Sequence, residues 1–212
     1  MEKYAVIIAG PSGVGKTTVA DMLIERLGNL EMSRSATTRP VRDDGKADEY
    51  IYLSRAEFER EVAAGGMAEH AEYGGNLYGT PKRELSRILS LGKHPILVLE
   101  YNGVLSLKRS LDYPVFAFYV YEGLNAIRER LELRDGADSP KVAARCLENA
   151  RDYKALPTLT ERFDAFVENK ELDACVNTLC DMISTLAAGN AVMSEEEKLA
   201  VATSLSKEVG EC

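Results

Sequence analysis

The sequence predicts an α/β fold, layered about a central parallel sheet, and three observations carry that prediction. Residues 4–9, 95–99, 113–121 and 163–167 are nearly continuous apolar runs rich in β-branched and aromatic residues, the pattern of strands covered on both faces. Between them lie stretches with helical spacing at 82–91, 105–111, 124–133, 139–156 and 172–186, and strands alternating with helices make a sheet with helices on its faces. The first run passes through a glycine-containing turn into the pattern Val19, Met22, Leu23, Leu27, which is strand, loop and helix in register.

Further elements fall on that frame. A chain of 212 residues has the length of one domain with room for inserted lobes. Residues 29–80 break the alternation with Arg-, Gly- and Tyr-rich text, and read as such a lobe. It holds a short strand at 49–53 and a helix opened by Ser54, with Glu57 three residues later completing a capping box. Thr80 and Pro81 are expected to start the returning helix, as N-cap and first helical residue. Beyond Gly189-Asn190 a last helix is predicted, because Ser194 and Glu197 form a second capping box ahead of Val201, Leu205 and Val209 at helical spacing. The sequence has no internal repeat and no low-complexity segment.

Composition narrows the function classes. With 45% hydrophobic and 28% charged residues this is an ordinary globular protein and not a disordered chain. Acids number 34 against 26 bases, a formal charge of −8, which argues against a general binder of nucleic acid or anionic membrane. An anionic ligand must be met by local basic patches. No apolar run approaches the roughly 20 residues of a membrane-crossing helix. The start Met1-Glu2-Lys3 leads into a short apolar stretch without the flanks of a signal peptide, so a cytoplasmic protein is expected. Cys146, Cys175, Cys180 and Cys212 lack metal-site spacing and read as buried or idle thiols of a reducing compartment.

Gly10-Pro11-Ser12-Gly13-Val14-Gly15-Lys16-Thr17 fits G-x-x-x-x-G-K-[ST], and it stands after a buried strand and before a helix. Glycines let successive N–H groups face one anion, and the helix N-terminus adds the positive end of its dipole. Lys16 is expected to reach the β and γ phosphates of a nucleoside triphosphate, and Thr17 to offer its hydroxyl to Mg²⁺. Nucleotide contacts are therefore assigned to Gly10, Ser12, Gly13, Val14, Gly15, Lys16, Thr17 and the following Thr18. The loop does not say what receives the phosphate.

Ser33 to Arg42 reads SRSATTRPVR, three arginines and no acid in an acidic chain. That is a local anion site, and the planar forks of Arg39 and Arg42 suit a phosphate better than lysines would. Glu69 is followed by Tyr78 and Thr80. An ionised carboxylate only accepts hydrogen bonds, so it can take both N1–H and N2–H₂ of guanine, whereas adenine presents an acceptor there.

Together the strings GPSGVGKTT, SATTRPVR, EYIY and AEHAEYGGNLYGT resemble the guanylate kinases, P-loop enzymes that move a phosphoryl group from ATP to GMP, over about residues 4–174. The family pattern S-x-T-T-R-x-x-R falls on Ser35, Thr37, Thr38, Arg39 and Arg42, and its distal E, Y-G-[ST] falls on Glu69, Tyr78, Gly79 and Thr80. The resemblance implies that Arg39, Arg42, Tyr50 and Tyr78 bind the GMP phosphate while Ser35, Glu69, Thr80 and Glu100 read guanine. Arg130, Arg134 and Arg145 keep the spacing of the family's lid. By resemblance Arg130 lies against adenine, Arg134 and Arg145 clamp the transferring phosphoryl group, and Asn169 sits near the adenine ring.

The sequence also departs from the family. Where the family reads D-I-D-x-Q-G, this chain has Val98-Leu99-Glu100-Tyr101-Asn102-Gly103, so the first acid is missing. The family's D-Y is Glu49-Tyr50, and its lid R-G-T-E is Arg134-Asp135-Gly136-Ala137. A tail beyond about Leu186 exceeds the family's usual end and reads as a covering helix or a subunit contact.

The expectation is a P-loop NTPase three-layer fold. Residues 1–190 form the kinase-like domain, with core 1–32, 81–125 and 157–190, a GMP-binding lobe at 33–80 and a helical lid at 126–156, followed by an extension at 191–212. It is expected to convert ATP and GMP (or dGMP) to ADP and GDP with Mg²⁺ in purine nucleotide metabolism, with Lys16, Arg39, Arg42, Arg134 and Arg145 as catalytic residues. The partners implied are these small molecules alone, without nucleic acid or membrane; a homo-oligomer is left open but not indicated. Two alternatives stand beside it. One is a peptide-binding module with the same lobe, in which the phosphate loop tends to be eroded; the other is a kinase of another small phosphate ester, which has no use for guanine-reading residues.

Overall fold

A computed structural model describes residues 2–41 and 50–209. The first apolar run is β1 (Ala5–Ala9), with all five residues buried, and it feeds α1 (Lys16–Leu27) through the glycine-rich turn. Then come β2 (Leu30–Met32), β3 (Ser35–Thr37), β4 (Tyr50–Tyr52), α2 (Arg55–Ala63), β5 (Met67–Tyr73), β6 (Asn76–Pro81) and α3 (Lys82–Ser90). The rest of the chain forms β7 (His94–Val98), α4 (Tyr101–Ser110), β8 (Val115–Tyr121), α5 (Leu124–Asp135), α6 (Pro140–Ala155), β9 (Ala165–Glu168), α7 (Leu172–Ala187) and α8 (Glu195–Glu208).

Five strands make one sheet in the order β2-β7-β1-β8-β9, and every pairing in it is parallel. Parallel pairing places the C-terminal ends of all five strands at one edge, where open α/β sheets bind ligands. The turn after β1, Leu99 and Glu100 after β7, Glu122 after β8 and Asn169 after β9 share that edge. The core of this sheet is β-branched and aromatic: Val6, Ile7, Ile8, Ile96, Phe118, Tyr119 and Val120 are fully buried.

A second sheet, order β4-β3-β6-β5, builds the inserted lobe around a small core of Ala36, Phe58 and Met67. Helix α2 carries Phe58 into that core, and its Ser54–Glu57 capping box forms as predicted. The sequence reading found only one of the four lobe strands. Strand β5 is composed of MAEHAEY, whose alanines and acids have low strand preference, and β3 is three residues long. The overlooked signal is Gly74-Gly75, both with positive φ (56° and 77°), joining β5 to β6 as a two-residue hairpin turn.

Two expectations are corrected. Thr80 is not the N-cap of α3: it lies fully buried in β6, Pro81 is the N-cap residue, and the helix begins at Lys82. The Thr80 hydroxyl is turned across the hairpin to Glu69 instead. The helix expected at 105–111 begins at Tyr101, with Glu100 as its N-cap residue. The strand expected at 49–53 is β4, and Glu49 lies outside the described residues.

The tail folds back as a covering helix. Both halves of the Ser194–Glu197 capping box form, and Ala202 and Leu205 enter the main core against α6, β9 and the turns at 156–162. Lys198, 5% exposed, donates to the Phe163 carbonyl at 3.0 Å and pairs with Glu195. Glu208 accepts from the Leu124 N–H at the start of α5 (3.4 Å). Cys146, Cys175 and Cys180 are free thiols, and Cys212 lies outside the described residues.

Candidate active site

The turn after β1 needs glycine for a stated reason. Gly10, Gly13 and Gly15 have φ of 148°, 91° and 97°, and a Cβ on Gly10 would stand 2.1 Å from the Val120 carbonyl oxygen in β8. Helix α1 starts at Lys16, so its first amides have no intrahelical partner and point toward any bound anion. The Lys16 ammonium folds over the loop, donating to the carbonyls of Gly10 (2.8 Å) and Pro11 (2.9 Å). Burial lowers its pKa to about 8, against the attraction of Glu100 and Asp152 and with help from Arg134. Thr17 and Thr18 are exposed on the first helical turn, and Val14 is buried beneath the loop.

Two asparagines grip the loop from the C-terminal half of the chain. Asn169, after β9, donates to the Val14 carbonyl at 2.7 Å. Asn149, on α6, accepts from the Ser12 N–H at 2.8 Å and donates to the Ser12 carbonyl at 2.9 Å. Arg130 on α5 donates to Glu122 and to the Asn169 carbonyl, each at 3.2 Å.

Arg134 and Arg145 converge on one carboxylate. Arg134 donates to both oxygens of Asp135 (3.2 and 3.0 Å), and Arg145 pairs with the same group across from α6. The Arg134 hydrogen bond holds Asp135 below the usual carboxylate range. Neither arginine rests on the phosphate loop, although Arg134 lies close enough for its charge to act on Lys16.

In the lobe, Glu69 is 8% exposed and accepts from the Thr80 hydroxyl at 2.7 Å. Burial raises its pKa, and the Thr80 bonds oppose that rise. Ser35 and Tyr50 are register partners in β3 and β4. The Arg39 guanidinium stands 5.1 Å from the centre of the Tyr50 ring, and Tyr78 meets the same ring edge-on at 6.3 Å. Arg42 lies outside the described residues. Glu100 is the N-cap residue of α4, near enough to Lys16 and Glu148 for their charges to act on it; burial raises its pKa and Lys16 lowers it.

The sequence reading did not single out Asn149 or Asp152. Arg145, Asn149 and Asp152 follow at spacings of four and three on α6, the signature of one helix face. That face meets the phosphate loop through Asn149 and the Lys16 charge through Asp152.

A family model described as guanylate kinase matches residues 2–186. A guanylate kinase of Gloeobacter violaceus is 39% identical over 176 residues, covering 82% of this chain and 83% of the relative. One of Lactococcus lactis subsp. lactis is 41% identical over 150 residues (69% and 72%), and one of Chlorobium luteolum 34% over 182 residues (84% and 90%). The crystal structure of guanylate kinase from Anaplasma phagocytophilum superposes with a TM-score of 0.64 at 24% identity, covering 87% of this chain and 86% of that one, and so shares the fold. The match runs from the start of the described chain through nearly all of α7 and leaves only α8 beyond it: the chain belongs to the guanylate kinase family.

Proposed function

We propose that this chain transfers the γ-phosphoryl group of ATP to GMP, or dGMP, giving ADP and GDP, or dGDP. A GMP phosphate oxygen forms the new bond to the γ-phosphorus as the bond to the β–γ bridging oxygen breaks, and that oxygen leaves with ADP. No enzyme nucleophile takes part, so the work of the chain is alignment and charge neutralisation. The observation that carries the reading is the buried Glu69 carboxylate in a chain whose phosphate loop is intact. An acceptor-only group in the lobe selects guanine, and the loop with Lys16 supplies the triphosphate site.

The roles we assign rest on the motifs and on the neighbours described above. Lys16 and the amides around it hold the β and γ phosphates, and Arg134 and Arg145 leave Asp135 to meet the transferring group. Arg39, Arg42, Tyr50 and Tyr78 hold the GMP phosphate, with Ser35, Thr80, Glu69 and Glu100 on the base. Arg130 and Asn169 flank adenine. Residues 33–80 serve as the GMP lobe and 126–156 as the lid. The donor set suits Mg²⁺ arriving with the nucleotide: among the described residues no three His, Cys, Asp or Glu side chains form a metal cage, and Mg²⁺ is commonly held by phosphates, water and few protein ligands. Thr17 would hold it, and when bound it would neutralise charge on the triphosphate. With Val98 in place of the family acid, Glu100 and Asp152 are the carboxylates whose charge acts on Lys16. We place the enzyme in the cytoplasm; among the described residues no helix is long and apolar enough to cross a membrane.

The test is ADP release measured against GMP, dGMP, IMP, AMP, CMP and UMP, with Lys16→Met as control. GMP turnover lost in Lys16→Met with folding retained is the expected outcome. A wild-type chain inactive on GMP overturns the reading in favour of a binding module or of a kinase for another phosphate ester.

A further inference from the structure

We infer that Asn149 is a positioning residue for the nucleoside triphosphate: it pins the phosphate loop in its anion-receiving shape and ties that loop to the lid helix α6. The inference rests on the kinase reading above and adds to it a residue outside the phosphate-loop, lobe and lid motifs.

A primary amide carries a donor and an acceptor on one planar group, so it can satisfy the N–H and the C=O of a single backbone residue at once. Asn149 does this at Ser12, with bonds of 2.8 and 2.9 Å across 137 residues of sequence. The side chain is 2% exposed, so water is not at hand to replace it, and its removal would leave both Ser12 groups short of partners. On the far side Asn169 holds the Val14 carbonyl at 2.7 Å. Between them Gly13 is pressed by α5: a Cβ there would lie 2.8 Å from the Leu131 side chain. Residues 12 to 14 are thus fixed from three elements, none of which belongs to the loop's own strand or helix.

Two consequences follow. The Ser12 amide is spent inside the protein and the Val14 amide donates to the Pro11 carbonyl at 3.4 Å, so the amides left for phosphate oxygens are that of Gly13 and those from Gly15 into α1. Arg145 precedes Asn149 by one helical turn on the same face, so the grip on Ser12 also sets where α6 holds Arg145 relative to the loop. The guanine-side pair Glu69 and Thr80 stands on the second sheet, which makes the effect separable: loss of Asn149 should fall on ATP and ADP and spare GMP.

The experiment compares wild type with Asn149→Ala by calorimetry with MgADP and by steady-state kinetics with ATP and GMP varied in turn. The expected result is a rise of about tenfold in the ADP Kd and the ATP KM, equal to ~1.4 kcal/mol, with the GMP KM changed less than about twofold. A merely structural role would move the ATP and GMP KM values together; that outcome, or an ADP Kd within about twofold of wild type, overturns the inference. Should Asn149→Ala not fold, amide exchange on the nucleotide-free wild type decides. Ser12 should exchange at least about a hundredfold slower than in an unstructured peptide, and exchange at the peptide rate overturns the inference. Calorimetry with ADP needs no GMP turnover, so a chain that binds ADP through Asn149 and leaves GMP untouched would support this inference while overturning the substrate assignment.

Discussion

The Thr80 hydroxyl donates to Oε1 of Glu69 at 2.7 Å, and both side chains are buried. The hydroxyl and the backbone N–H of Thr80 thus steady a carboxylate that burial disfavours, and N1–H and N2–H₂ of guanine would add further donors. Adenine would bring a lone pair to the same place. AMP should therefore be phosphorylated about 10⁴-fold less efficiently than GMP in kcat/KM, with IMP between. Glu69→Gln should cost ~2–3 kcal/mol with GMP, read as RT times the logarithm of the kcat/KM ratio, and much less with AMP. Unchanged ratios in Glu69→Gln would show that the lobe does not read the base.

Gly103 lies in the first turn of α4, and a Cβ there would stand 3.0 Å from Oε2 of Glu69. Alanine is the better helix former by about 1 kcal/mol, yet it would push the carboxylate off its position. Gly103→Ala should raise the GMP KM several-fold while the melting temperature holds or increases and the ATP KM stays put. Kinetics and thermal melts on one preparation check the opposed signs.

Asp135 occupies both lid arginines. Because the triphosphate must compete with this carboxylate for them, Asp135→Asn should lower the ATP KM. Stability should change little, as exposed ion pairs contribute little. A raised ATP KM would mean that Asp135 organises the arginines and does not compete for them.

Burial, with repulsion from Glu100, lifts Asp152 from 3.8 to about 6, against the pull of Lys16. The folded chain then binds more protons than the unfolded chain across that window. Stability conferred by the protonated group is complete below 3.8 and is lost as pH rises through about 6. Asp152→Asn should melt higher than wild type near pH 7, and the difference should vanish near about pH 4. Melting curves across that range provide the check.

Leu205 on α8 is 3% exposed within the main core. Leu205→Ala should destabilise the fold by about 2–4 kcal/mol in denaturant titration. A loss under about 0.5 kcal/mol would mean that α8 rests on the surface and contributes no core.

The phosphate loop, the parallel-sheet frame and the two capping boxes were legible in the sequence because each is a local device: contiguous residues with fixed spacing create an amide cradle, a buried strand or a capped helix. The lobe's Glu69–Tyr78–Thr80 and arginine motifs were legible only as patterns of residue types. Tertiary structure decided how they meet. Thr80 reads as a helix cap until β6 pairs with β5 and turns its hydroxyl to Glu69. Asn149 was invisible for the same reason. Its partner lies 137 residues away, and nothing in either neighbourhood encodes the meeting. Local sequence specifies which hydrogen-bonding groups are offered; only packing of distant elements, driven by burial of their apolar faces, selects which of those groups meet.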